Sequence, residues 1–107
     1  MPSAHSDFTA RIPANLASNP ERARSVDAVF AFRIVGEGGG VWTLFCKDEV
    51  GVREGEHPPV DCILECSAED WQLISENTEA GMELFFTGRL VLTGNVALAA
   101  RLPELLG

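Results

Sequence analysis

The alternation in residues 26–35 constrains this chain most. Val26, Ala28, Phe30, Phe32 and Ile34 interleave with Asp27, Val29, Ala31, Arg33 and Val35, and a period of two gives a β-strand with one well-buried face. Gly36-Glu37-Gly38-Gly39-Gly40 follows, and residues 41–47 then place Trp42, Leu44 and Cys46 on one side. Two strands around a short glycine-rich connection predict an antiparallel hairpin. A weaker third strand spans residues 51–54 and is broken by Glu56-His57-Pro58-Pro59. Val60, Cys62, Leu64 and Cys66 alternate as a fourth.

Helical spacing brackets these strands. Phe8, Ile12 and Leu16 repeat at i, i+4 and i+8, although Pro13 makes that helix begin late or kink. Asn19-Pro20-Glu21 reads as an N-cap, a proline in the first turn and an acid beside the helix dipole, starting a helix to about Arg24. Ser67-Ala68-Glu69-Asp70 opens another with a capping-box pattern, and Trp71, Leu73 and Ile74 give it an apolar side. A short helix holding Met82, Phe85 and Phe86 ends at Gly88. Leu90 and Leu92 mark a last strand, and Leu98, Leu102 and Leu105 mark a closing helix bent by Pro103. Strands grouped first and helices grouped later predict an α+β fold, a sheet covered on one side. With 107 residues there is room for one domain, set here at 8–107, after a loose segment at 1–7.

Charge narrows the partners. Sixteen acidic residues against eight basic ones give a net charge of −8, which disfavours nucleic acid, whose binding rests on Lys and Arg. The same balance disfavours stable seating in an anionic membrane. No apolar run approaches the ~20 residues of a membrane span. Met1 to Asp7 shows no secretory pattern, and Leu105-Leu106-Gly107 is not a peroxisomal address. Three cysteines, an odd number, fit a reducing compartment. The expected location is the cytoplasm.

Four segments taken in order resemble the sterol carrier protein 2 family of lipid-transfer domains. They are Asn19 to Phe32, Gly38 to Leu44 with Lys47-Asp48 after it, Asp61 to Asp70, and Phe86 to Asn95. The likeness runs from about residue 8 to 106. Asn95 stands where the family usually carries an acid, and Thr78-Glu79-Ala80-Gly81 replaces its common Asn-Pro-Gln-type helix entry. The resemblance implies a mainly antiparallel five-stranded sheet with helices over one face and an apolar cavity between them. It also implies binding of a sterol, fatty acid or fatty acyl-CoA without chemistry on it.

The apolar side chains available to line such a site are Phe30, Phe32, Trp42, Leu44 and Leu64 on the sheet, facing Trp71, Ile74, Met82, Phe85, Phe86, Leu98 and Leu102 on the helices. Aromatic rings and a methionine make an adaptable lining with few polar interruptions. The same side chains can instead fill a solid core, since close packing is the rule. In that case the chain is an interaction module that docks on a partner or forms a homodimer. Glycines at 81 and 88 give the short helix between them an ordinary C-cap, or the freedom to move as a gate.

Catalysis, metal and cofactor find little purchase. His57 is the one plausible base, in a Pro-rich turn beside Glu54 and Glu56. Cys62 and Cys66, four apart on a strand, lie about 13 Å from each other, too far to share a zinc ion. They read with Cys46 as small core residues. The glycine run precedes a strand, whereas a phosphate loop needs a helix N-terminus after it.

Overall fold

The computed structural model describes residues 6–37, 39–77 and 80–101. Five strands, β1 (Ala28–Val35), β2 (Gly40–Cys46), β3 (Val50–Glu54), β4 (Cys62–Ser67) and β5 (Val91–Gly94), form one sheet in the order β3-β2-β1-β4-β5. The expected α+β architecture is present, with one refinement. β1 pairs antiparallel with β2 but parallel with β4, so the sheet is mixed. Parallel neighbours need a long crossover; here it passes through β2 and β3, and the 55–61 segment returns the chain across the sheet.

The alternation holds from Ala28 onward, but Val26 belongs to a helix. Helices α1 (Ile12–Ser18) and α2 (Pro20–Val26) precede the sheet, and Asn19 Oδ1 accepts the Arg22 N–H at 3.1 Å as the N-cap of α2. Asp27 then takes a left-handed conformation at φ 52°, a short polar residue's tolerated way to end a helix. Val26 is therefore buried from the helix side. A π-helical turn, Asp7–Arg11, runs directly into α1, and Pro13 falls just after this junction.

Helix α3 (Ala68–Glu76) starts where the capping pattern predicts, with Ser67 Oγ accepting the Asp70 N–H at 3.1 Å. Helix α4 (Ala80–Phe86) and a 3-10 helix (Val96–Arg101) follow on either side of β5. The closing helix expected from leucine spacing thus opens as a tighter 3-10 turn; Leu102 and Leu105 lie outside the described residues. Among the described residues no helix is long and apolar enough to cross a membrane.

The two sheet faces differ. Ala28, Phe30, Phe32 and Ile34 on β1 join Trp42, Leu44 and Cys46 on β2 and Cys62, Leu64 and Cys66 on β4 in the core under the helices. On the opposite face the 55–61 segment acts as a strap. Buried Thr43 donates its hydroxyl to the Gly55 carbonyl at 2.7 Å and accepts the His57 N–H at 3.0 Å. Arg33 grips Glu56 with two hydrogen bonds of 2.8 and 3.1 Å.

Candidate functional site

The core is one continuous cluster with two chemically different parts. One is aromatic. The Phe8 ring stacks on Trp42 at 4.6 Å between centroids and 6° between planes, and meets Phe32 at 5.0 Å and Trp71 at 4.9 Å. Trp71 also contacts the edge of Phe32 at 5.8 Å. These spacings lie within the range of direct ring contact. The rings of Phe32, Trp42 and Trp71, offered by the sequence as ligand lining, are therefore covered by a side chain from the N-terminal turn. Phe30 and Leu44 are buried beside them.

A polar bond fixes this region. Asp7, almost fully buried, accepts the Trp71 indole N–H at 2.9 Å and the Arg11 Nε–H at 3.1 Å. Asp7, placed by the sequence in a loose segment at 1–7, is held in the core; residues 1–5 of that segment lie outside the described residues. Nothing in Ser6-Asp7-Phe8-Thr9 hints at a partner 64 positions away.

The second region is aliphatic. Leu64 on β4 pairs across the sheet with Leu92 on β5, and Ile74, Leu84 and Leu90 complete a cluster against which Leu98 and Ala99 pack. Here the expected helix face needs correcting. Leu84 is the buried residue of α4, while Met82, Phe85 and Phe86 point outward, 62%, 39% and 77% exposed. Ala80, Gly81 and Leu84 form the inner side of this short helix. Small residues recurring with Leu84 at i and i+3 or i+4 were the readable signal for that orientation. Of the twelve candidate lining residues, seven are buried in the core and Leu98 packs against it; Leu102 lies outside the described residues.

The other candidate chemistries meet specific obstacles. His57 is exposed, its Nε2 lies 2.8 Å from the Glu54 carbonyl, and neighbouring Glu56 is committed to Arg33. That hydrogen bond holds the Glu56 carboxyl below its ordinary pKa. All three cysteines are free and buried on the core face, and burial pushes the Cys46 and Cys66 thiols up to about 12, which keeps them protonated and poorly nucleophilic. Among the described residues no group of three or more His, Cys, Asp or Glu is placed to hold a metal ion.

A five-stranded sheet with helices is also the fold of known proteins. A model of the SCP-2 sterol transfer family matches residues 9–107. The chain belongs to that family. Among SCP-2 family structures, the sterol carrier protein 2-like 2 of Aedes aegypti is 28% identical, with a TM-score of 0.74 over 91% of each chain. Palmitated SCP2L2 from the same organism is 27% identical, with a TM-score of 0.76 over 98% of this chain and 95% of that one. Among curated sequences, hydroxysteroid dehydrogenase-like protein 2 of Rattus norvegicus is 33% identical over 88 residues, which is 80% of this chain and 17% of that protein. The chain spans about a fifth of the length of the curated relatives it matches.

Proposed function

We propose that this chain binds and carries a lipid with a long aliphatic portion, a fatty acid, fatty acyl-CoA or sterol, in the cytoplasm and without chemistry on it. One observation carries the reading: Met82 and Phe86 stand exposed on a helix whose inner side closes the aliphatic half of the core. Exposed aromatic and methionine side chains clustered on one short helix mark a binding surface. An alkyl chain inserted beneath or along α4 would bury them with Ile74, Leu84, Leu90, Leu92 and Leu98. At about 0.8 kcal/mol per buried methylene, eight methylenes supply roughly 6 kcal/mol before ordering costs. The palmitated relative supports the choice of a fatty acyl tail.

The second reading, a docking module with a filled core, draws support from the interlocked rings around Phe8. Titration with cis-parinaric acid, competed by palmitate and cholesterol, tests the first. The expected result is saturable one-to-one binding that Met82→Ser with Phe86→Ser weakens at least about fivefold. Absence of binding, with a bare dimer in native mass spectrometry, would establish the module instead.

A further inference from the structure

Helix α4 covers the aliphatic region, yet little holds it there. Seven residues make about two turns, too short for a helix to be stable alone. Leu84 is its one buried side chain. Its C-terminal end is reversed by Gly88, whose φ of 81° favours glycine. The N–H groups of Arg89 and Leu90 both donate to the Leu84 carbonyl, at 2.9 and 3.1 Å.

The turn after α4 carries one strong tether. Arg89 Nε donates to Asp70 Oδ2 at 3.2 Å while Nη2 contacts Oδ1, a two-point grip. Asp70 is 4% exposed and lies in the first turn of α3. That helix is anchored in turn by Trp71, bonded to Asp7 and wedged among the rings. A fixed base, a light cover and a paired charge between them form a latch. Two-point arginine–carboxylate contacts are the strong, directional members of their class.

We propose that Asp70 and Arg89 are a positioning pair that sets how fast lipid enters and leaves, by holding α4 over the aliphatic half of the core. The inference rests on the carrier function above. Neither residue need touch the ligand. Breaking the pair lowers the barrier for entry and exit alike, so both rates rise while affinity stays nearly constant.

Stopped-flow transfer of cis-parinaric acid from the protein to phosphatidylcholine vesicles reads this directly. Arg89→Gln and Asp70→Asn should each raise the association and release rates about tenfold, the scale for losing a charged hydrogen-bonded contact, with Kd changed less than about threefold. Gly81→Ala should slow both rates. A Cβ there meets Ile74 Cγ1 and Leu90 Cδ2 at 3.9 Å, ordinary contact, and alanine stiffens the helix. Unchanged rates in all three variants overturn the proposal. So does a weaker Kd for palmitate but not for hexadecanol in Arg89→Gln, which would make Arg89 a headgroup contact. If the parent binds no probe, the carrier reading has failed. The latch is then decided by hydrogen exchange in the ligand-free protein: Arg89→Gln should speed exchange at residues 84–90 at least about fivefold and leave β1 unchanged. Equal protection refutes it.

Discussion

Replacing Asp7 with alanine tests the polar bond that joins the N-terminal turn to α3. The carboxylate accepts from the Trp71 indole at 2.9 Å and from Arg11 at 3.1 Å. Its loss strands the indole N–H in a site 1% exposed, and an unsatisfied buried donor costs about 1–3 kcal/mol. The half-exposed Arg11 contact adds at most about 0.5–1 kcal/mol. The sum is roughly 1.5–4 kcal/mol, centred near 2.5. For a domain of about 100 residues each kcal/mol moves the melting temperature about 4–5 °C, so Asp7→Ala should melt roughly 10 °C lower. Circular dichroism melts of Asp7→Ala, Trp71→Phe and the double variant separate the bond from other roles of Asp7. With phenylalanine at 71 there is no donor to strand, and the cost of Asp7→Ala should shrink by about 1–2 kcal/mol. A loss under about 2 °C, or the same loss in both backgrounds, refutes the argument.

Three further outcomes follow from the geometry. Thr43→Val keeps the shape but strands the His57 N–H and Gly55 carbonyl, so it should cost about 1–3 kcal/mol and speed hydrogen exchange at His57. Gly94→Ala places a Cβ 2.6 Å from the Asp61 carbonyl oxygen at a φ of 89°, and should lower stability in urea melts by more than about 2 kcal/mol. Cys46 and Cys66 should resist iodoacetamide at pH 8 until the protein unfolds, as mass spectrometry would show. Because the folded thiols hold their protons up to about 12 while unfolded thiols ionise near 9, stability should be unaffected by them below pH 9 and fall as pH climbs from 9 toward 12.

Much of this architecture is written locally. Asn19 and Ser67 cap their helices as side chains of their type should, and the alternation from Ala28 to Ile34 identifies the core face without error. What escaped reading depends on distant contacts. Val26 continues the strand's alternation in sequence, yet Asp27 in the left-handed region breaks the register and returns it to a helix. Nothing near β4 says that it lies parallel to β1, because periodicity reports which face a residue takes and not which strand lies beside it. Phe85 and Phe86 are the most apolar pair in their segment, so hydrophobicity alone points α4 the wrong way; the side that faces Ile74 and Leu90 carries Gly81, with Leu84 the buried residue of the helix. The candidate lining is half legible for the same reason. Its buried members follow the core pattern, whereas the contacts of Phe8 with the rings exist only in three dimensions.

The position of the indoles has a practical consequence. The sequence has two tryptophans and no tyrosine, so emission excited at 295 nm comes from Trp42 and Trp71 alone. Both rings contact Phe8, Trp42 by stacking and Trp71 at a tilt, and Trp71 also meets the edge of Phe32, which pairs across the sheet with Leu64. Intrinsic fluorescence should therefore report undocking of the first helical turn with high sensitivity. Emission alone would then merge movement of that turn with any change beside Leu64, and an external dye or calorimeter is the instrument that separates occupancy from undocking.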